Sequence, residues 1–121
     1  PAAAAEAYRN AIDLDDRFAA AYVNLGIVLT GLGRLREAAD VLQLAIARCP
    51  AEAVLHFNLA TVFEDLRRDA AAIAQYEQAL GIDPAFADAH YNLGRLHERL
   101  GHPQQAIRHF SQYRRLAADE R

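Results

Sequence analysis

The chain has 121 residues, 53% of them hydrophobic, with 4 prolines, 6 glycines and a formal net charge of −3. That apolar content excludes a disordered tail and suits one folded domain, and the small negative balance gives no global attraction to nucleic acid or anionic lipid. No apolar run reaches the ~18 residues of a membrane span, and the single cysteine, Cys49, excludes an internal disulfide framework and fits a reducing, cytoplasmic setting. There is no secretory signal and no methionine, which reads as a fragment or processed piece.

In chain order, residues 3–14 read as a helix carrying Ala4, Tyr8 and Ala11. A second helix is expected over 20–32, ended by Gly33, where a left-handed residue costs least. A third follows over 36–48 and is closed by Pro50, since proline cannot continue a helix. The next pair is predicted over 54–66 and 70–82, closed by Pro84. Here Arg67 stands where glycine ends the first helix of the other pairs, so the turn is either strained or differently shaped. The last pair runs over 88–100 and 104–117. Gly101 lies between them and Pro103 sits where a missing N–H does no harm.

Shifted by 34 residues, the sequence falls on itself. Ala4, Ala38, Ala72 and Ala106 form one column; Tyr8, Leu42, Tyr76 and Phe110 form another. Ala11, Ala45 and Ala79 form a third, broken by Tyr113. Tyr22, His56 and His90 align, as do Leu25, Leu59 and Leu93, and Gly26, Ala60 and Gly94. Small residues let helix axes approach and large ones fill the gaps, so stacked pairs bury what one pair cannot.

These columns, and the stretches "YVNLGIVLTGLGRLREAADVLQLAIARCP", "HFNLATVFEDLRRDAAAIAQYEQALGIDP" and "HYNLGRLHERLGHPQQAIRHFSQYRRL", resemble the tetratricopeptide repeat (TPR) family over essentially the whole chain. The resemblance implies an all-α fold, a right-handed α-α superhelix of about seven helices forming a single domain over 1–121. Residues 1–18 would be the second helix of a truncated repeat, and 19–52, 53–86 and 87–120 full repeats. It also implies that the first helix of each pair lines a concave groove that binds extended peptide segments of protein partners.

Asparagine is a middling helix former, yet Asn24, Asn58 and Asn92 recur 34 residues apart. By helical spacing Asn24 shares a face with Ala20 and Ile27, Asn58 with Val54 and Thr61, and Asn92 with Asp88 and Arg95. In the family geometry they line the groove, similar to the asparagine ladder of the O-linked N-acetylglucosamine transferases. An amide can pair with peptide N–H and C=O whatever the side chains. The other reading is that each supports a neighbouring helix. The candidate groove residues are Asn24, Asn58, Asn92, Val23, Ile27, Phe57, Thr61, Tyr91 and Arg95. Along the groove the flanking residues change from apolar (Ala20, Val23, Ile27) to charged (Asp88, Arg95, Glu98, Arg99). The carboxylate clamp of chaperone-binding TPRs is disfavoured. Its basic positions hold Ala20, Val23, Val54, Phe57 and Asp88, and Asn92 stands where its arginine would.

Nothing points to catalysis: there is no phosphate loop, triad spacing or carboxylate pair. "HERLGH" (97–102) spaces its histidines by five rather than four, with a glycine that breaks the helix, so no metal is expected. His56 and His90 fall in a packing column. No cofactor is expected. The last repeat is also similar to the TPR tails of some bacterial regulators with a MerR-type DNA-binding head. The alternative function is therefore a regulatory or oligomerisation domain of a larger transcription regulator. Tyr113 and Ala118 break their columns, so the array is expected to end there. Residues 1–14 lack a first-helix partner, so more protein is expected upstream, with self-association through the N-terminal helix.

Overall fold

The computed structural model describes residues 19–119. Six helices follow one another: α1 (Ala19–Gly31), α2 (Leu35–Arg48), α3 (Ala53–Asp65), α4 (Asp69–Ile82), α5 (Ala87–Arg99) and α6 (Pro103–Asp119). There is no strand among the described residues. The expected helix at 3–14, the seventh of the array, lies outside them, as does any self-association through it. Among the described residues, each predicted helix boundary is met within a residue or two.

Sequential helices pack as antiparallel pairs (α1 with α2, α3 with α4, α5 with α6), and each pair leans on the next, with α1 also touching α3. The result is an α-α superhelix of stacked pairs. Local chemistry supports the helix starts. Glu37 and Asp69 lie in the first turns of α2 and α4, facing the positive helix end, and Arg34 holds Glu37 through a 2.7 Å ion pair. Pro103 opens α6, where its fixed φ is already helical.

The turns inside the pairs are three copies of one motif. The backbone N–H donors of Arg34, Arg68 and His102 reach back to the carbonyls of Leu29, Phe63 and His97 at 2.8–2.9 Å. This six-to-one bond of a helix C-cap requires a left-handed residue just before the donor. Gly33 and Gly101 supply it at φ 76° and 79°, and Arg67 adopts it at φ 62°. The middle turn therefore has the same shape as the others, and Arg67 bears the strain that glycine avoids.

The core is a continuous seam. Tyr22, Leu25, Leu29, Leu42, Leu55, Leu59, Tyr76, Leu93 and Leu96 are all fully buried, each worth roughly 1.5–3 kcal/mol of apolar transfer. Alanines 38, 45, 60, 72, 79, 89 and 106 fill the close approaches between them. At Gly26 a Cβ would meet the Leu42 side chain at 3.3 Å, and at Gly94 it would meet the Phe110 ring at 3.0 Å. The small-residue column is thus the place where α1 touches α2 and α5 touches α6.

Candidate functional site

The first helices of the pairs, α1, α3 and α5, present the candidate groove residues. Ile27 of α1 is 57% exposed, and Arg95 of α5 is exposed too. Between α1 and α3 lies a depression of about 120 Å³ walled by Gly26, Ile27, Leu42 and Val62, with Thr30, Asn58 and Thr61 at its polar edge. Between α3 and α5 lies a second, of about 320 Å³, lined by Thr61, Glu64, Asp65, Arg67, Arg95 and Arg99. Thr61 lines both, so an apolar hollow adjoins a charged one along a single face. The structure therefore brings Ile27, Asn58, Thr61 and Arg95 together. Val23, Phe57 and Tyr91 do not line either hollow. Val23 packs against the core. Phe57 stacks on Phe86 with ring centroids 4.8 Å apart and meets the edge of Tyr76 at 5.9 Å. Tyr91 lies against Tyr113 and Phe110 of α6 at 5.1 and 5.9 Å.

The three asparagines are not equivalent. Asn24 is exposed, and its side chain makes no hydrogen bond to a described residue. Asn58, half-buried, donates an amide N–H back to the Val54 carbonyl of its own helix at 2.8 Å. Asn92 is committed to structure: its amide donates to the Tyr76 hydroxyl at 3.3 Å, and that hydroxyl donates in turn to Glu64. Burial and the adjacent Glu64 carboxylate push the Tyr76 phenol far above its ordinary range, so it stays protonated and remains the donor. Glu64 also faces Arg95 at 3.6 Å and Arg99 at 4.0 Å, and Arg99 donates to Asp69 at 3.0 Å. This chain of polar contacts ties α3, α4 and α5 together beneath the charged hollow. Sequence reasoning placed Arg99 on the groove but missed Tyr76 beneath it. Tyr76 occupies a packing column, and only the phenol in place of leucine or phenylalanine signals the polar role.

A second polar cluster lies between α5 and α6. His90 donates Nε2–H to the Pro84 carbonyl at 3.0 Å, as His56 does to that of Pro50 at 3.2 Å. Each thereby ties its repeat to the proline that closes the one before. The Nδ1 of His56 pairs with Gln75 at 2.8 Å, and that of His90 with His109 Nδ1 at 3.1 Å. The histidines at 56 and 90 thus pack as expected, with a latch to the preceding proline added. The matched offsets, six residues from each proline and nineteen to each partner, were legible as further columns. Although α5 ends before Gly101 as expected, the turn folds His102 back so that its Nδ1 lies 3.0 Å from that of His97. The His97 and His109 rings stack nearly parallel, 5.9 Å apart. Burial, then neighbouring His90, His97 and Arg108, push the His109 imidazole down to about 4. Burial and His102 lower that of His97, against the pull of Glu77. Among the described residues no group of three His, Cys, Asp or Glu side chains could hold a metal ion. No helix among them is long and apolar enough to cross a membrane.

No curated protein matches the chain. Solved structures do. It superposes on a crystal structure of MamA with a TM-score of 0.87 and 27% identity, covering 96% of this chain and 68% of that one. A second MamA structure gives 0.82 at 27% identity, covering 96% and 63%. MamA from Desulfovibrio magneticus RS-1, residues 41 to the end, gives 0.83 at 22% identity, covering 95% and 65%. The chain thus spans about two thirds of the length of these neighbours. Family models described as tetratricopeptide or TPR repeats match residues 1–53, 68–101 and 87–119. With the stacked helix pairs, the repeated C-cap turns and the columns of small and large residues, these matches establish that the chain belongs to the tetratricopeptide repeat family, a scaffold for protein–protein contacts.

Proposed function

We propose that the face built by α1, α3 and α5 binds an extended peptide segment of a partner protein, without catalysis. The observation that carries this reading is the pair of adjoining hollows, apolar then charged, that share Thr61 beside Asn58. A peptide laid along them would place an apolar side chain against Ile27, Leu42 and Val62, and a charged one beside Arg95. Asn58 would pair with its backbone. Asn24 extends the row at the apolar end. Asn92, held by Tyr76, sets the shape of the charged end instead of meeting the ligand. Of the expected asparagine row, two members therefore read as ligand contacts and the third as helix support. The setting that fits is cytoplasmic.

The test is calorimetry with a partner peptide identified by capture on the full-length protein, alongside thermal melts of the same variants. Asn58→Ala removes one or two hydrogen bonds to the peptide and is expected to weaken binding by about 1–2 kcal/mol. Its own helix loses only an exposed back-bond to Val54, so the melting temperature should barely move. Unchanged affinity would sink the reading.

A further inference from the structure

The histidines between α5 and α6 are not needed for the groove. Of the four, His97 is buried at the end of α5 and His102 is exposed in the turn that follows. The left-handed Gly101 (φ 79°) reverses the chain between them, and the His102 N–H is fixed on the His97 carbonyl at 2.8 Å. This backbone clamp sets the two rings so that their Nδ1 atoms face each other at 3.0 Å. Two nitrogens bound to one tetrahedral zinc ion, at about 2.0–2.1 Å each, stand roughly 3.3 Å apart. In distance the pair is therefore within a few tenths of an ångström of a chelate, and each ring must also swing so that its lone pair leaves the N···N line and converges on the ion.

We propose that His97 and His102 form a two-histidine chelate for a divalent transition-metal ion, zinc or one of its neighbours, bound through the two Nδ1 atoms and completed by water. In the empty pair one Nδ1 carries the proton of the Nδ1–H···Nδ1 hydrogen bond. On binding, that ring moves its proton to Nε2, so both Nδ1 lone pairs face the ion and no net proton is released. The exposed His102 leaves the remaining coordination positions open to solvent. Two imidazoles and water suit zinc, nickel or copper and not magnesium or calcium, which take oxygen ligands. The charged groups that act on His97 are Glu77 of α4, which favours a cation, and Arg108 of α6, which opposes it. The site is accordingly one of modest affinity, able to brace the α5–α6 turn when metal is present, and it is not a closed structural centre.

The neighbouring His90–His109 pair has a similar Nδ1 separation, but it is less suited. His90 is buried and His109 half-buried, so water has little access to complete the shell.

The test uses the chain without a polyhistidine tag, titrated with zinc chloride by calorimetry at pH 7.5 and melted with and without the ion. The expected result is saturable uptake of one ion per chain and a melting temperature raised by a few degrees. Both should be lost in His102→Gln and kept in His109→Gln. His102 is on the surface, so circular dichroism should show that variant folded. Absence of saturable uptake by the unaltered chain, or uptake that survives in His102→Gln, overturns the proposal.

Discussion

Replacing Tyr76 by phenylalanine isolates the polar tie beneath the charged hollow. The ring is fully buried and phenylalanine retains its volume, so the cost comes from the hydroxyl alone. Two bonds vanish: the one donated to the Glu64 carboxylate and the one accepted from Asn92. A hydrogen bond to a charged group is worth about 1.5–3 kcal/mol and a neutral one about 0.5–1.5. The Asn92 bond is long at 3.3 Å and belongs at the bottom of its range. Glu64 is 11% exposed at the side chain and keeps Arg95 and Arg99 nearby, so it is not stranded. The expected loss is about 2–3 kcal/mol, measured by urea denaturation with the slope unchanged. Asn92→Ala in the phenylalanine background should then cost less than in the parent, because its partner is gone. A loss below about 0.5 kcal/mol, or strictly additive effects of the two substitutions, would show that the chain of contacts carries no energy. The hollow would then be shaped by apolar packing alone.

Other variants read other features. Arg67→Gly relieves a left-handed arginine (φ 62°) and should raise stability by about 1 kcal/mol in thermal melts; a lower melting temperature would mean the turn needs the arginine side chain. Gly94→Val drives methyl groups into the Phe110 ring, already 3.0 Å from a Cβ there, and should destabilise by about 1–3 kcal/mol. Gly81→Ala, with nothing within 4 Å of its Cβ, should stabilise by about 0.5–1 kcal/mol, so a loss there would count against the packing described.

The architecture was legible because it repeats. A 34-residue period fixes the helix pairs, and the small and large columns identify the contacts that Gly26–Leu42 and Gly94–Phe110 make. The groove was less legible, for reasons particular to each residue. Helical spacing places Phe57 and Tyr91 near the asparagines but cannot say that they pack on the rings of Phe86 and Tyr113. The row of asparagines is regular in sequence, whereas its chemistry depends on what lies under each one, and among the described residues it is Asn92 that bonds a phenol. The sequence shows that Gly101 breaks the helix between His97 and His102, but not that the turn brings the two rings together. The left-handed Gly101 makes theirs a hairpin contact.

The most direct test of the groove reading is site-specific photocrosslinking in the full-length protein in its native cells. A benzoylphenylalanine at exposed Ile27, beside the apolar hollow, is compared with one at exposed Leu44 on α2. The account predicts a defined partner segment crosslinked from position 27 and none from position 44. Crosslinks from position 44 alone would contradict it and move the interaction surface onto the second helices.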